Sequence, residues 1–401
     1  MSLSAEETDT LCWLDDKQDE MAALIVELCN INSGTNNLAG LAQVRDRLAE
    51  CFASLDGELN IVKSEPWESV DDDGNAETKT SGDILHVRKW PDAKQKVMLC
   101  IHMDTVFGSD HAFQKCTRMP DGTINGPGVI DAKGGIVLML YVLRALEQGP
   151  LAGKVGWEVI INADEEIGSP GSDKFMRERA PHCDAGILFE PSLPDGTLVS
   201  WRKGSGNFAF VVRGKSAHTG RDFGAGRNAL AALSRMMVEV DSWNDGSDVT
   251  YNVGRIRGGS ALNMVPELAV GRINIRVKTL EQKDESIDRM NDLVAQHGKR
   301  DGISVNMHGD FKSPPKPMNA GIESMQRRIE ACGEKLGMEI KWRGTGGACD
   351  GNRFADAGLP NIDTLGPSGD FIHSDKEYLV PDSLVPRAKL ATMVLMSFAN
   401  E

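Results

Sequence analysis

Five short segments place carboxylate or imidazole side chains directly beyond apolar runs that are typical of buried β-strands. The candidate side chains are His102 with Asp104, Asp131, the pair Glu165 and Glu166, Glu190, and His373. Ligands of open α/β sheets bind outside the carboxyl ends of the strands. We therefore expect these side chains to meet at one edge of a sheet, although His373 arrives from far along the chain.

Two imidazoles and three carboxylates from these segments form a mixed nitrogen and oxygen ligand set. Such a set suits zinc, and cobalt and manganese also fit it. One catalytic zinc takes only about three protein ligands, so five ligands indicate two metals that share a bridging carboxylate. Two such metals polarise a substrate carbonyl and lower the pKa of a bridging water. The sequence therefore predicts a two-metal hydrolytic centre.

Three acidic residues near these ligands have further predicted roles. Asp104 lies two residues after His102, and alternate residues of an extended chain point to the same side. Asp104 is therefore expected to accept a hydrogen bond from the ring nitrogen of His102 that does not bind metal. Glu165 and Glu166 are adjacent, so one is expected to bind metal while the other acts as general base. The residues alone leave open which does which.

Each candidate taken singly has a simpler explanation. The run Asp164-Glu165-Glu166 is typical of a solvated acidic turn, and Asp131 before two glycines would serve as a helix N-cap. Only their joint placement at strand ends favours a functional site. Other catalytic motifs are incomplete, because no His-Glu dipeptide opens an HExxH helix and Ala209 replaces the first glycine of a phosphate-binding loop ending at Ser216.

Charge and cysteine content limit the partners and the compartment. The chain of 401 residues carries a net charge of -15, which disfavours nucleic acid and anionic membranes as partners. No run approaches the ~20 apolar residues of a membrane span, and none resembles a signal peptide. Eight cysteines are scattered without a CxxC motif, which indicates reduced thiols. We expect a cytoplasmic enzyme with a small substrate.

Strand-like and helical patterns alternate up to Lys203 and resume after the proline-rich residues 312–317. This order predicts an α/β fold, a mixed sheet with helices on both faces. The intervening residues follow the order β-α-β-β-α-β of a ferredoxin-like α+β unit. We therefore predict a catalytic domain of residues 1–203 and 313–401 with an inserted domain of residues 204–312, called the inserted segment below.

Three local expectations complete the secondary-structure prediction. Apolar spacing predicts one amphipathic helix over residues 9–30. The polar, Asp- and Gly-rich stretch Ser69–Ser81 is expected to be a surface loop. A strand is expected over Glu339–Trp342, ahead of a Gly-rich turn.

Seven motifs of the chain resemble those of the dinuclear-zinc exopeptidase and deacylase family. This family includes glutamate carboxypeptidase, acetylornithine deacetylase, succinyl-diaminopimelate desuccinylase and aminoacylase. The matching runs are His102-Met103-Asp104-Thr105-Val106, Gly126-Pro127-Gly128-Val129-Ile130-Asp131-Ala132-Lys133-Gly134-Gly135, Asp164-Glu165-Glu166-Ile167-Gly168-Ser169, Gly214-Lys215-Ser216-Ala217-His218, Asn263-Met264-Val265-Pro266, Gly346-Gly347-Ala348-Cys349-Asp350-Gly351 and His373-Ser374-Asp375-Lys376-Glu377-Tyr378. The resemblance covers nearly the whole chain and is closest to glutamate carboxypeptidase.

The resemblance implies a metallocarboxypeptidase acting on small peptides, with an N-acyl-amino-acid deacylase as the alternative and a non-catalytic metal-binding protein as a remote one. It implies two Zn²⁺ per subunit, with Co²⁺ or Mn²⁺ as substitutes. Asp131, followed by a peptide bond that is often cis in the family, would bridge them. His102 and Glu190 would complete one metal site, and Glu166 and His373 the other.

The resemblance also implies roles outside the metal ligands. Glu165 would be the general base and later the proton donor, and Asp104 would orient His102. The inserted segment would be a lid and would form a homodimer. From it His218 would stabilise the oxyanion, in many relatives in the partner's active site.

Substrate contacts are implied for Asn263, Arg276 and Gly347. One departure concerns the stretch where glutamate carboxypeptidase carries an Arg that grips the substrate carboxylate. This chain has Pro314-Pro315-Lys316-Pro317 there. Lys316, Arg343 or Arg353 is expected to take over the role of that Arg.

Overall fold

Residues 2–400 are described by a computed structural model of the chain. Helices and strands alternate through its first half. In chain order the elements are α1 (Ala5–Cys12), α2 (Gln18–Cys29), α3 (Leu38–Ala53), β1 (Glu58–Val62), β2 (Trp67–Val70), β3 (Ala76–Lys79), β4 (Ile84–Lys89), β5 (Gln95–His102), β6 (Thr117–Arg118), β7 (Ile124–Asn125), α4 (Lys133–Gln148), β8 (Val155–Asn162), α5 (Asp173–Arg179), β9 (Ala185–Leu188) and β10 (Leu198–Arg202).

The second half begins with the inserted segment and then returns to the central layer. Its elements are β11 (Gly204–Arg213), α6 (Ala229–Asp241), β12 (Thr250–Gly258), β13 (Leu268–Val277), α7 (Leu280–His297), β14 (Ser304–Ser313), α8 (Ala320–Lys335), β15 (Trp342–Thr345), α9 (Asp350–Asp356), β16 (Asn361–Ile362), β17 (Gly369–Asp370), β18 (Tyr378–Leu379) and α10 (Leu384–Ser397). Across residues 2–400 no helix combines the length and the apolar character needed to cross a membrane.

A six-stranded mixed sheet forms the central layer, in the order β1-β4-β8-β5-β9-β16. Strand β5 runs parallel to both of its neighbours, β8 and β9, so their carboxyl ends lie at the same edge. Alternate residues of β5 point to opposite faces: Leu99 and Ile101 join the apolar cluster under α2, α3, α4 and α10, whereas Met98 and Cys100 join the cluster under α5 and α9. Helices thus cover both faces, which confirms the predicted α/β class.

The inserted segment forms a separate antiparallel sheet in the order β12-β13-β11-β14. This is the strand order of a ferredoxin-like unit. Phe208, Phe210 and Val212 of β11 point to the face that α6 and α7 cover, and they belong to an apolar cluster of their own. The opposite face of the sheet is mainly polar, with Ser205, Asn207 and Asn274 beside Val211 and Val270.

The predicted helix over residues 9–30 is wrong, because the chain turns between α1 and α2. Leu14 is fully buried in that turn, and its N–H bonds to the carbonyl of Leu11. A straight helix of that length would extend over about 30 Å. The turn instead allows α1 and α2 each to pack against α4 and α10.

The surface loop predicted over Ser69–Ser81 is also wrong, since β2 and β3 form a hairpin. Asp71 closes its turn by accepting hydrogen bonds from the backbone N–H groups of Asp73 and Asn75. The hairpin packs on the polar face of the inserted segment's sheet, where Val70 meets Val211 and Val270. The polar composition of residues 69–81 predicted a loop because only Val70 contributes an apolar contact to this packing.

The strand predicted over Glu339–Trp342 lies three residues further on, in β15. This strand pairs in parallel with β10, starting at Leu198 and Trp342. Gly344, expected in the Gly-rich turn, lies inside β15. Trp201 packs so closely on it that a Cβ at this position would lie 1.8 Å from the Trp201 ring. Close packing, and not a turn, explains that glycine.

Candidate active site

The predicted ligands converge at the carboxyl edge of the central sheet. His102 is the last residue of β5, Glu166 lies in a 3-10 turn after β8, and Asp131 lies just before α4. Glu190 follows β9, and His373 lies in the loop between β17 and β18. Two groups of their ligand atoms, each within 4.8 Å of one another, could hold metal ions: His102 with Asp131 and Glu190, and Asp131 with Glu166 and His373.

Asp131 is shared by the two groups, and each of its oxygens faces a different imidazole. Oδ1 lies 3.1 Å from His102 Nε2, and Oδ2 lies 3.2 Å from His373 Nε2. Glu190 Oε2 lies 3.9 Å from His102 Nε2, and Glu166 Oε2 lies 3.0 Å from His373 Nε2. The peptide bond after Asp131 is cis. Asp131 is therefore placed as a bridging ligand would be.

The buried charges of this cluster shift the pKa values of its members. Burial raises the pKa of Glu190 to about 8 and also raises the pKa of Glu165 and Glu166. Burial alone would raise the pKa of Asp131 too, but hydrogen bonds from His102 and His373 hold it below its usual range. Hydrogen bonds to Asp131 and Glu166 raise the pKa of His373 to about 10. Buried carboxylates with two imidazoles form a donor set that fits divalent cations.

Asp104 is fully buried and holds more than the imidazole of His102. His102 Nδ1 lies 3.0 Å from the backbone carbonyl of Asp104 and 3.3 Å from its Oδ1. The Asp104 carboxylate also accepts the backbone N–H groups of Glu165 and Glu166, at 3.1 and 3.2 Å, and the hydroxyl of Thr35 at 2.7 Å. It therefore joins the end of β5 to the turn after β8.

Glu377 lies in a corresponding way under the Asp131 loop, and no role was predicted for it beyond its place in a motif. Its buried carboxylate accepts the backbone N–H groups of Gly128, Ile130 and Asp131 at 3.2, 3.0 and 3.1 Å. Burial and the charge of Asp131 raise the pKa of Glu377 to about 7. The available sequence signal was a glutamate four residues after a candidate ligand.

A cavity of about 580 Å³ opens above the cluster. Its walls include the candidate ligands Asp131, Glu166, Glu190 and His373, together with Glu165. The other wall comes from the inserted segment and the Gly-rich loop, and includes Ser205, Asn207, Asn274, Arg276 and Gly347. Arg276 and Gly347 therefore lie where a substrate above the cluster would meet them.

Two arginines line this cavity with different surroundings. Arg276 donates to Asn274 Oδ1 at 2.9 Å, and among residues 2–400 no carboxylate forms an ion pair with it. Arg202 donates to Asp363 Oδ1 at 2.9 Å and to the carbonyl of Gly347, while its buried Nε has no partner in the described chain. Arg276 therefore has no carboxylate partner in the described chain, whereas the guanidinium of Arg202 is already paired with Asp363.

The cations expected to replace the family's substrate-gripping Arg lie elsewhere. Lys316 is fully buried and donates to Asp363 Oδ2 at 2.7 Å. Arg353 is also buried, and it pairs with Asp350 and Asp173. Arg343, the third candidate, is exposed on β15 and does not line the cavity in the described part of the chain. Arg202, which the sequence analysis missed, occupies the cavity wall instead.

His218 and Asn263 lie together but apart from this cavity. The carbonyl of Asn263 accepts the N–H of Thr219, and His218 Nδ1 accepts the N–H of Gly220 at 3.1 Å. Neither residue belongs to the cavity wall formed by residues 2–400. The neighbouring Leu262 is completely exposed. Within one chain, the expected oxyanion residue does not reach the cluster.

The family whose sequence profile is described as "Peptidase family M20/M25/M40" matches residues 98–397. The chain belongs to this family. It is therefore a metal-dependent hydrolase, and the resemblance inferred from the motifs is confirmed.

Individual M20 relatives give the same picture. Carboxypeptidase G2 of Pseudomonas sp. (strain RS-16) is 27% identical over 382 residues, which cover 93% of this chain and 87% of the relative. Succinyl-diaminopimelate desuccinylase of Gluconobacter oxydans (strain 621H) is 32% identical over 200 residues, 46% of this chain and 52% of the relative. The Bacillus subtilis YXEP protein, a dinuclear metal-binding peptidase of the M20 family, shares the fold with a TM-score of 0.67 at 12% identity, covering 96% of this chain and 98% of that one.

Proposed function

We propose that the chain is a two-metal carboxypeptidase that hydrolyses the amide bond before a C-terminal amino acid. The shared position of Asp131 between two ligand groups carries this proposal, because a carboxylate whose two oxygens face different ligand groups can bridge two adjacent metals. In the proposal, His102 and Glu190 complete one Zn²⁺ site, while Glu166 and His373 complete the other. Carboxypeptidase G2, which resembles this chain over most of its length, supports the reaction class.

The bound metals would polarise the scissile carbonyl and activate a water molecule. Glu165 lines the same cavity and is not in either ligand group, so it is free to move a proton. We assign it as the group that takes a proton from the attacking water at its carboxylate and returns it to the leaving nitrogen. Asp104 would fix both the His102 ring and the Glu165 backbone during this transfer.

The unpaired Arg276 supports a substrate with a free carboxylate. A guanidinium binds a carboxylate in a bidentate fashion, and Arg276 has no carboxylate partner among residues 2–400. Arg202 offers a second cation on the same wall. We therefore propose that the leaving amino acid is held through its carboxylate by Arg276, with Gly347 as a further contact in the same cavity. Asn263 would contribute only from the partner subunit, as proposed below for His218.

We further propose that residues 204–312 act as a lid and form a homodimer in the cytoplasm. The support is a number of exposed apolar side chains on this segment, among them Val238, Ile256 and Leu262, and the position of β12 at the edge of its sheet. In the dimer, His218 would serve the active site of the partner subunit. The free state of all eight cysteines supports a reducing compartment.

Deacylation of N-acyl amino acids is the second candidate, supported by the similarity to succinyl-diaminopimelate desuccinylase. A substrate panel on Zn²⁺-loaded protein separates the two, using folate-type N-acyl glutamates, dipeptides and N-acetyl amino acids. Release of a C-terminal amino acid from the first two groups supports the carboxypeptidase. Turnover of N-acetyl amino acids alone would replace it with the deacylase, and turnover that survives complete chelation would contradict both.

A further inference from the structure

Glu377 connects two candidate ligand loops that are far apart in sequence. Its Oε1 accepts the N–H groups of Ile130 and Asp131, and its Oε2 accepts the N–H of Gly128. A carboxylate that accepts three backbone N–H groups fixes the path of that backbone. The loop it fixes ends at Asp131, the carboxylate shared by both ligand groups.

The backbone around Glu377 is joined to the same loop. Asn125 Nδ2 donates to the carbonyl of Glu377 at 2.7 Å and to that of Asp375 at 3.1 Å. The N–H of Gly126 donates to the Glu377 carbonyl at 3.3 Å, and Tyr378 pairs with Asn125 across β18 and β7. The segment that begins at His373 is therefore attached to the Asp131 loop mainly through Glu377 and its immediate neighbours.

The two imidazoles differ in how firmly the chain holds them. His102 is buried at the end of a central strand, and both the carbonyl and the carboxylate of Asp104 face its Nδ1. The His373 side chain is 51% exposed, and its backbone has a φ of 62°, in the left-handed region that an L-residue adopts only when its surroundings impose it. His373 is thus held less by its own burial than by the loop that carries it, whose flanking strands pair at Gly369 with Leu379 and at Asp370 with Tyr378.

We propose that Glu377 is a positioning residue that determines the affinity of the metal position formed by Asp131, Glu166 and His373. It holds the backbone of Asp131 directly, and it holds His373 through the three residues between them, Ser374, Asp375 and Lys376. The metal position of His102, Asp131 and Glu190 keeps Asp104 and the central sheet as independent supports. This inference rests on the proposed function, because it assumes that both groups bind metal.

Glu377→Gln, Glu377→Ala and the matched control Asp375→Asn test the proposal. Asp375 is exposed on the same loop, so its replacement removes the same charge without removing these hydrogen bonds. Each protein is dialysed against a series of buffered free Zn²⁺ concentrations, and bound zinc is counted by mass spectrometry. Absorption spectra of the Co²⁺-loaded proteins report how the second ion is coordinated.

We expect the parent and Asp375→Asn to bind two Zn²⁺ per chain. Glu377→Gln keeps one Zn²⁺ as tightly as the parent, while the second needs about 10- to 100-fold more free metal, because removing a supporting hydrogen-bond partner costs about that in affinity. Glu377→Ala shows a larger shift, since it loses all three contacts. Saturating Zn²⁺ restores the kcat of Glu377→Gln, which a role in proton transfer would not allow.

Several outcomes contradict the proposal. Parental affinity for both ions in Glu377→Gln overturns it, whatever the activity of the variant. Equal weakening of both ions overturns the assignment to the His373 position, and a Co²⁺ spectrum identical to the parent's for the second ion does so as well. If Glu377→Ala does not fold, Glu377→Gln still decides the question. A parent that binds no pair of metals refutes the proposed function itself.

Discussion

His102 and Asp131 are surrounded by hydrogen-bond partners from their own chain, whereas Asn263 and Leu262 of the inserted segment lie exposed to solvent. The floor of the cavity, formed by the candidate metal ligands and Glu165, is thus complete within one chain. His218 and Asn263, which the motifs link to catalysis, belong to the inserted segment and do not line this cavity in the described chain. Under the proposed function, metal binding and proton transfer would depend on the fold of one chain, while oxyanion stabilisation by His218 would require a partner subunit.

Glu165→Gln tests the floor and is expected to have the largest effect. We expect kcat to fall at least ~10²-fold, because the variant cannot take up the proton, while both metals remain bound. Zinc content and the rate of dipeptide hydrolysis are measured on the same sample. The control Glu323→Gln, which changes an exposed side chain on α8, should keep the parental rate. Parental activity in Glu165→Gln would refute the assignment of the base.

His218→Ala tests whether the inserted segment works across the dimer. The variant alone should lose roughly 10²–10³-fold in kcat, as when one oxyanion donor is removed. Co-expression with Glu165→Gln gives hybrid dimers in which one active site carries both changes and the other carries neither. Random pairing then restores about a quarter of the parental activity, because half of the dimers have one intact site.

No recovery in this mixture would place His218 in the active site of its own subunit. Light scattering on the same samples verifies the dimer. A monomer with parental activity would remove the role of the partner subunit, and it would leave the floor unaffected.

Arg276→Met tests the cleft wall where the two regions meet. Loss of a charged hydrogen bond worth about 1.5–3 kcal/mol should lower kcat/KM for carboxylate-bearing substrates about 10- to 100-fold. A substrate whose terminal carboxylate is an amide should lose far less. Arg235→Met on α6, where the side chain is exposed, serves as the control. Equal losses for both substrates would show that Arg276 does not bind the carboxylate.

Asp72→Asn is expected to give the smallest effect. Asp72, in the hairpin turn, pairs with Arg255, Arg257 and Arg272 of the inserted segment, but all four side chains are partly exposed. Such pairs contribute about 0–1 kcal/mol each. Urea unfolding should show a loss in that range, and added salt should abolish the difference from the parent. A larger, salt-independent loss would mean that the hairpin packing itself had changed.

The convergence of the candidate ligands could be predicted from sequence because most of them follow a local rule. His102 ends a strand with a visible apolar pattern, and Glu166 and Glu190 follow such strands. Arg202 and Glu377 could not be predicted, because their meaning depends on partners far along the chain, Asp363 for one and the Gly128 loop for the other. The hairpin β2–β3 escaped prediction for the same reason. Its stability comes from a sheet formed by residues more than a hundred positions later.

That hairpin has a mechanical consequence. The inserted segment is covalently joined to the rest of the chain at its two ends, next to Gly204 and Ser313. These ends lie side by side, since Ser205 and Ser313 are paired across β11 and β14. A segment attached along only one side could rotate about that side. The hairpin contacts Val211, Arg213 and Arg272, at the opposite end of the same strands. If residues 204–312 move as the proposed lid, this contact would restrain the side of the segment that lies away from its attachment, and the cleft would open only as far as the contact allows.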